Sequence, residues 1–409
     1  MSGTSSVHPL DQGDPLGPKR AAFALPEGII YLDGNSLGTL PAHVPQRVAD
    51  VVSKQWGESL IRAWNEHDWV DLPRRVGDRI GRLVGAAPGT VIAGDSTSIN
   101  LFKVLSAALA LRPERKVILS DTGNFPTDLY MAQGLRDLLG AGHELRLVAP
   151  EEVADAITDE VAVMMITQVD YRTGRRHDMA ALTRLAHEAG ALVIWDLAHS
   201  AGAFKVELDA CGADFAIGCG YKYLNGGPGA PAFLYVAERH QAVARQPLNG
   251  WMGHDAPFAF DLDYRGARGV DQFRVGTPPI LSLSALDAAL DVFDDVDMDV
   301  LRAKSVSLCE LFIKEVESRC EGLELASPRN ADERGSQVSF RFAEGYALMQ
   351  ALIARGAIGD FRAPDIVRFG FTPLYLSHGD VVKAVDILAD ILATRSWDAP
   401  QFKTRAKVT

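Results

Sequence analysis

The alternation of apolar and polar residues changes along the chain. Between residues 90 and 236, short apolar runs alternate with stretches whose apolar residues recur at helical spacing. Uninterrupted apolar strands between helices are typical of a mostly parallel sheet covered on both faces. Seven strands are predicted by the runs TVIAG (90–94), KVILS (116–120), ELRLV (144–148), VAVMMITQV (161–169), ALVIWDLA (191–198), DFAIGC (214–219) and PAFLYV (231–236). The pattern therefore predicts an α/β fold with ligands bound at the carboxyl ends of the strands.

The segments on either side of these runs have other patterns. Residues 1–30 are rich in Gly, Pro and Ser and predict an arm, either mobile or draped over the rest. The remaining helical patterns lie at 42–60, 68–85, 281–320, 345–355 and 379–394, with an alternating strand at 336–342. We therefore predict a large domain over 31–280 and a small α+β domain over 281–409, with which the arm packs.

Composition narrows the class of protein. A chain of 409 residues, 47% hydrophobic and 23% charged, is typical of a globular protein with more than one domain. The net charge of −12, with no basic block, argues against nucleic acid or an anionic membrane as partner. No apolar stretch is long enough for a transmembrane helix, and the N-terminus does not resemble a secretory signal. The four cysteines lack CxxC spacing, so we expect a cytoplasmic, thiol-reduced enzyme without a metal.

Two polar residues at successive strand ends indicate a cofactor. Asp196 ends one apolar run, and Lys222 follows the next and precedes a Gly-rich turn. A buried carboxylate needs a cation or donors, so Asp196 is either a structural cap or ion pair, or the partner of a protonated pyridine nitrogen. Lys222 is either a solvated loop lysine or, against an apolar wall that lowers its pKa, a Schiff-base lysine. Together they predict a pyridoxal-phosphate (PLP) enzyme.

A phosphate site is indicated upstream. The Ser and Thr residues of AGDSTSINLFKVL (93–105) lie between a strand and a helix, where hydroxyls and free N–H groups can bind phosphate. N-capping alone also explains such residues. Neither GxxxxGK[ST] nor a GxGxxG after the first strand occurs, so neither a nucleoside triphosphate nor a dinucleotide is indicated. The order of phosphate site, aspartate and lysine resembles that of the fold type I, aminotransferase-like PLP enzymes.

Longer motifs resemble the kynureninase family, over about residues 30–385. They are YLDGNSLGTLP (31–41), DSTSINLFK (95–103), NFPTDLY (124–130), WDLAHSAGA (195–203), GYKYLNGGPGAPAF (220–233) and VGTPPIL (275–281). The resemblance implies hydrolysis of L-kynurenine, and of 3-hydroxy-L-kynurenine, to anthranilate or 3-hydroxyanthranilate and L-alanine, in tryptophan degradation and NAD biosynthesis.

The resemblance also implies roles for individual residues. Residues expected to bind the cofactor are Thr97, Ser98 and Tyr221 on the phosphate, Phe125, Pro126, Thr127, Asp128 and Thr167 around the ring, Asp196 on the ring nitrogen, His199 beside the cofactor and Lys222 as the Schiff base. Trp251 and Thr277 are expected to reach the phosphate of the neighbouring subunit, which implies a homodimer with shared active sites. Arg368 is expected to hold the substrate's α-carboxylate, with a surface ion pair as the alternative, and Ser36 to line the substrate side.

Chemistry and specificity follow from the same positions. We expect the freed Lys222 amine to take the α-proton and Tyr221 to act as acid and base on the hydrated carbonyl and the β-carbon. Thr277 and Glu66 stand where vertebrate relatives carry Asn and His, which implies a preference for unsubstituted kynurenine.

Two other interpretations are considered. A cysteine desulfurase needs a mobile catalytic cysteine, whereas Cys309 and Cys320 fall in a predicted helix. A PLP-fold binding protein without catalysis is opposed by the presence of Lys222, Asp196 and Tyr221, together with Arg368.

Overall fold

A computed structural model describes residues 7–140 and 142–405. Backbone packing divides the chain into two compact units. The first, called here the large unit, comprises residues 43–171 and 177–291. The second, called the small unit, comprises the chain up to residue 42, residues 172–176, and the chain from residue 292 onward. The domain bounds predicted from the sequence, 31–280 and 281–409, stay predictions.

The strands lie largely where the apolar runs predict them. Their bounds are β1 (Ile30–Tyr31), β2 (Val91–Ala93), β3 (Val117–Asp121), β4 (Glu144–Val148), β5 (Val161–Thr167), β6 (Leu192–Asp196), β7 (Phe215–Gly218), β8 (Phe233–Val236), β9 (Glu324–Leu325), β10 (Gln337–Arg341), β11 (Ala357–Ile358), β12 (Asp360–Arg362) and β13 (Ile366–Gly370).

The helices fall between these strands and at both ends of the chain. The α-helices are α1 (Val44–Asp50), α2 (Gly57–Ser59), α3 (Ala63–Glu66), α4 (Leu72–Leu83), α5 (Thr97–Ala110), α6 (Pro126–Leu139), α7 (Val153–Ala156), α8 (Met179–Glu188), α9 (Glu238–Gln241), α10 (Ile280–Ala289), α11 (Met298–Arg319), α12 (Gly345–Ala354) and α13 (His378–Thr394). A π-helical turn spans Val51–Trp56. Short 3-10 turns lie at Pro9–Asp11, Gly17–Ala22, Leu60–Arg62, Pro150–Glu152, Trp251–Gly253, Pro257–Ala259, Gly269–Phe273, Leu290–Phe293, Ala331–Glu333, Ser396–Asp398 and Pro400–Phe402.

The large unit contains a seven-stranded sheet in the order β2-β8-β7-β6-β5-β3-β4. Strand β8 runs antiparallel to both of its neighbours, and the other pairs are parallel. All seven residues of β5 are buried, as a strand covered on both faces requires. The predicted seven-stranded, mostly parallel sheet is therefore confirmed. Strands β2, β3, β5, β6 and β7 end at the same edge.

Helix α5 covers the middle of this sheet. Leu101, Val104 and Leu105 on the helix are fully buried in one apolar cluster with strand residues such as Ile118 and Phe215. Burying each such side chain contributes roughly 1.5–3 kcal/mol. The helix therefore has a well-defined position, and its first turn lies after β2, at the edge where the central strands end.

The small unit contains an antiparallel sheet in the order β12-β13-β10-β9 and a parallel pair, β1 with β11. The 3-10 turn Pro9–Asp11 contacts the first residues of helix α13 in this unit. Asp11 accepts hydrogen bonds from the backbone N–H groups of His378 (2.8 Å) and Gly379 (3.0 Å). The partial positive charge at the start of a helix favours a carboxylate in this position.

Two predicted helices are interrupted. The helical pattern over 281–320 forms two helices, because Asp297 caps a new one by accepting from the N–H of Asp299 (2.8 Å). The pattern over 42–60 is broken by the π-helical turn and by Leu60, which has a φ of 53°.

Candidate active site

Most of the site residues predicted for the cofactor lie at one edge of the large unit's sheet. Thr167 ends β5 and Asp196 ends β6, and the two are paired across the strands. The loop after β7 carries Lys222, and the start of α6 after β3 carries Phe125 and Asp128. The parallel sheet thus brings together residues that lie up to about one hundred positions apart in the chain.

Lys222 lies among aromatic and imidazole rings. Its Nζ is 3.0 Å from His199 Nε2, 6.0 Å from the centroid of the Phe125 ring and 5.8 Å from that of Tyr221. Phe125 is 43% exposed, so part of its ring is accessible to a ligand. An amine beside a ring with an exposed face suits a flat cofactor that is linked to the lysine and stacked on the aromatic.

The glycines around Lys222 are required by close backbone packing. A Cβ at Gly220 would lie 2.3 Å from the carbonyl oxygen of Pro231, and one at Gly226 would lie 2.7 Å from the Gly220 oxygen. The Gly226 N–H donates to that same oxygen at 2.9 Å. Because no side chain fits at either position, the loop holds Lys222 in one place relative to the strand ends.

Two buried carboxylates share the site but differ in their partners. Asp196 accepts from the Ala198 N–H at 2.8 Å, and Asp128 has an oxygen, Oδ2, with no hydrogen-bond partner among residues 7–140 and 142–405. Burial raises the pKa of Asp196, while Lys222 and the donors Ala198 and Thr167 oppose the rise. Burial and the nearby Asp196 charge raise the pKa of Asp128 well above its usual value. Asp196 is therefore the residue better suited to stay ionised against a cation.

The predicted phosphate site lies at the start of α5. Ser96 is the N-cap, and its hydroxyl accepts from the Ile99 N–H at 3.3 Å. Thr97 and Ser98 are the first two helical residues and are half-buried. N–H groups in the first turn of a helix have no partner inside the helix, and they favour an anion.

Trp251 and Thr277 lie on exposed segments of the large unit. The Met252 N–H donates to the Val275 carbonyl at 3.3 Å, so the two segments run side by side. Trp251 is 39% exposed and contacts Phe258 and Phe260. Sequence analysis did not single out this exposed aromatic cluster, although the spacing of its aromatic residues is visible in the chain.

Arg368 and Ser36 lie together in the small unit. Arg368 is 1% exposed, and its Nε donates to Asp360 Oδ1 at 2.7 Å while Nη2 donates to Ser36 Oγ at 2.7 Å. Ser36 in turn donates to Asp360 Oδ2 at 2.6 Å. The alternative of a surface ion pair is wrong for Arg368, because both partners are buried.

Two acidic residues of this group were missed by sequence analysis. Burial and the charge of Asp360 raise the pKa of Asp33 to about 7, although Arg368 opposes the rise. Burial also raises the pKa of Asp360, but the Arg368 guanidinium holds it below its usual value. Asp33 lies inside the quoted YLDGNSLG motif. Asp360 had no sequence signal, because its contact with Arg368 depends on the pairing of β12 with β13.

The residues of the large unit fit PLP. A lysine for the aldehyde, a carboxylate for the ring nitrogen, an exposed aromatic face and a helix start for the phosphate match its functional groups one by one. Asp128, at the start of α6, adds a buried carboxyl oxygen that has no hydrogen-bond partner within residues 7–140 and 142–405. Within the described ranges, no group of three or more His, Cys, Asp or Glu side chains is arranged to hold a metal ion.

The fold and these residues define a PLP-dependent enzyme of fold type I. Residues 301–388 match the family model of the kynureninase C-terminal domain. Over 407 residues, 98% of each chain, the sequence is 54% identical to a kynureninase of Burkholderia pseudomallei and 53% identical to one of Pseudomonas fluorescens. The chain belongs to the kynureninase family.

Solved structures show the same fold at low sequence identity. A cysteine desulfurase from Thermococcus onnurineus is 18% identical, with a TM-score of 0.77 over 92% of this chain and 98% of that one. A C-DES variant, solved with glycine covalently linked to its PLP cofactor, is 16% identical, with a TM-score of 0.78 over 91% and 99%. These likenesses establish the fold class alone.

Proposed function

We propose that this chain hydrolyses L-kynurenine to anthranilate and L-alanine, with 3-hydroxy-L-kynurenine as a second substrate, as a step of the kynurenine pathway. The observation that carries the proposal is the 54% identity to a kynureninase over 98% of both chains. The geometry around Lys222 supports it, because that residue lies 3.0 Å from His199 at the edge where Asp196 ends its strand.

Lys222 and Asp196 have different roles at the cofactor: Asp196 binds the ring nitrogen, and Lys222 moves the α-proton. When bound, PLP supplies an electron sink for the substrate's α-carbon. Asp196 keeps the ring nitrogen protonated, and the buried position of its carboxylate makes this pairing strong because little water competes. The Lys222 amine takes the proton from the substrate's α-carbon, and the nearby His199 ring limits where that amine can move.

Tyr221 handles the remaining proton transfers. Hydrolysis adds water to the γ-carbonyl and breaks the Cβ–Cγ bond, so one proton must leave the hydrated carbonyl and one must arrive at the β-carbon. The Tyr221 ring lies 5.8 Å from Lys222 Nζ, close enough to serve the same substrate. Its phenol can both donate and accept, which this exchange requires.

Arg368 binds the substrate's α-carboxylate in this proposal, and Ser36 lines the same side. The guanidinium is planar and offers several donors, which suits a bidentate carboxylate. Asp360 accepts hydrogen bonds from the guanidinium through Nε and Nη2, and this fixes the orientation of the guanidinium plane. Asp360 therefore acts as a positioning residue for Arg368.

The desulfurase interpretation is not favoured. Cys309 lies within α11 and is 1% exposed, and burial raises the pKa of its thiol to about 11. Cys320 caps the same helix, and burial raises its pKa to about 11 as well. A catalytic cysteine must be a thiolate on an accessible segment, and neither residue meets that condition.

The test is to mix the PLP-loaded protein with L-kynurenine and to measure anthranilate fluorescence and alanine together. We expect both products in equal amounts, and neither from the Lys222→Ala variant, which also loses the absorption of the lysine-linked cofactor. Lys205→Ala is the matched control, because this lysine of the same unit has a 44% exposed side chain that pairs with Glu207. Linked cofactor without either product would reject the substrate; turnover by Lys222→Ala would reject the lysine.

We also propose a homodimer with shared active sites, in which Trp251 and Thr277 reach the partner's phosphate. The exposed aromatic cluster around Trp251 supports it, with Phe258 59% and Phe260 75% exposed. Trp251→Ala and Lys222→Ala proteins, inactive alone, should recover about a quarter of wild-type activity when subunits exchange, because half the dimers then contain one intact site. No recovery despite demonstrated exchange would contradict shared sites.

Two finer points remain proposals. We propose a preference for unsubstituted kynurenine, supported by Thr277 and Glu66, and the ratio of kcat/KM for the two substrates tests it.

We propose a cytoplasmic location, supported by the four cysteines, which are all free thiols. In the described part of the chain, no helix is long and apolar enough to cross a membrane.

A further inference from the structure

Lys103 is a buried lysine that the proposed chemistry does not use. It lies on α5, two turns after the predicted phosphate site, and is 2% exposed. Its Nζ is 2.6 Å from Asp95 Oδ2 and 2.8 Å from the Phe273 carbonyl oxygen. Burial lowers the pKa of Lys103, and the Asp95 carboxylate opposes that shift. A buried lysine is costly, so its position calls for a physical reason.

Asp95, the carboxylate that pairs with Lys103, lies beside the proposed phosphate site, where a second negative charge is unfavourable. Asp95 directly precedes Ser96, Thr97 and Ser98, where the cofactor phosphate is proposed to bind. Its backbone is held in the left-handed region, with a φ of 50°, and its carbonyl accepts from the Ala232 N–H at 3.0 Å. A free carboxylate beside a bound phosphate would repel it, because like charges a few ångströms apart are destabilising.

The ion pair removes this conflict. The Asp95 side chain is 34% exposed, whereas that of Lys103 is 2% exposed, so the ammonium end of the pair is enclosed. The Phe273 carbonyl is a second acceptor for the Lys103 ammonium. The same residue begins the segment that leads to Thr277, the second proposed phosphate contact.

We propose that Lys103 is a positioning residue for the cofactor phosphate, which it serves by neutralising Asp95 and holding its carboxylate away from the phosphate. The inference rests on the proposed placement of that phosphate at the start of α5. It extends the set of cofactor-binding determinants to a residue that does not touch the cofactor.

The test compares two ligands that differ only in the phosphate. PLP and pyridoxal are titrated into the full-length chain after removal of its cofactor, with wild type and Lys103→Met side by side. We expect Lys103→Met to weaken PLP binding about 10- to 100-fold, and pyridoxal binding by less than about twofold. A purely structural role would weaken both ligands alike, so equal losses would overturn the proposal, as would an unchanged affinity for PLP.

The charge argument is tested by a second substitution. Asp95→Asn in the Lys103→Met background removes the unpaired carboxylate, and we expect it to restore most of the lost PLP affinity. Failure to restore it would overturn the role of Asp95. Lys304→Met is the matched control, since Lys304 is also buried and pairs with Asp14 (2.7 Å) and a carbonyl, but in the small unit. It should bind PLP as wild type does.

These outcomes are separable from a failure of the proposed function. The titrations measure cofactor affinity and need no turnover. A chain that bound PLP but did not cleave kynurenine would therefore still give the comparison of PLP and pyridoxal affinities. Thermal unfolding of each variant without cofactor shows whether Lys103→Met has folded.

Discussion

Replacing Asp196 by Asn isolates the charge of the carboxylate from its shape. The side chain is 5% exposed and accepts from the Ala198 N–H at 2.8 Å, a bond that the amide oxygen of Asn can keep. What the variant loses is the negative charge facing Lys222 and, in the holoenzyme, the protonated ring nitrogen. The variant also places an NH2 group where the carboxylate had an accepting oxygen. Its neighbours there, Lys222 and the protonated ring nitrogen, are themselves donors and cannot accept from it.

The size of the effect can be worked from these contacts. A buried hydrogen bond to a charged group contributes roughly 1.5–3 kcal/mol, which corresponds to about 10- to 150-fold in the dissociation constant of PLP. Turnover should fall further, by about 10²- to 10³-fold, because the ring nitrogen's charge matters most when electrons move toward it. The backbone should stay unchanged, since the isosteric amide fits the same space.

Asp128→Asn provides the matched comparison. Asp128 is also buried, and burial and the Asp196 charge raise its pKa well above the usual value although Lys222 opposes the rise, so it is the carboxylate of the two that holds a proton more readily. Asn resembles a protonated Asp in shape and charge, so we expect less than about a tenfold loss of PLP affinity. The assay is a titration of each variant with PLP, followed by anthranilate release from L-kynurenine at saturating cofactor.

One result would refute this reasoning. If Asp128→Asn impaired cofactor binding more than Asp196→Asn did, the assignment of charge between the two carboxylates would be reversed. The pKa argument would then have failed, even if both residues proved necessary.

Three further predictions concern other residues. Asp214→Asn should lower the free energy of unfolding by about 3–5 kcal/mol, because it removes the charge of a buried carboxylate that pairs with two histidines and an arginine, and it replaces one accepting oxygen by an NH2 group. Burial raises the pKa of Asp214, but its two histidine partners lower it more. The stabilisation by the Asp214 carboxylate is therefore present above about pH 4 and is lost as pH falls. Calorimetry across this pH range checks the prediction, and an unchanged Tm would contradict it. Asp360→Asn should raise KM for kynurenine about tenfold or more and leave PLP affinity unchanged, since it loosens Arg368 and Ser36, which are both assigned to the substrate; a kcat effect alone would count against it. Tyr221→Phe should bind cofactor but lose turnover about 10²- to 10⁴-fold, measured by single-turnover kinetics; full activity would assign the proton transfers elsewhere.

The sequence by itself determined the central sheet and the ends of its strands. The runs of apolar residues are long enough to read as buried strands, and each is confirmed within a few residues. Because parallel strands end at one edge, the chain positions of Asp196 and Lys222 were sufficient to predict that they meet, whereas the place of Thr167 beside the cofactor was implied by the family resemblance. Local backbone preference and burial act over short distances, so they leave a signal in the chain itself.

Only the tertiary structure decided which groups pair across the chain. Ser36 and Asp360 are 324 residues apart, and their hydrogen bond depends on how β12 pairs and where the loop after β1 folds. The Lys103 contact with the Phe273 carbonyl spans 170 residues and has no pattern that could have revealed it. Such contacts are selected by packing and desolvation of the whole fold, and these energies are not encoded in the spacing of any single segment.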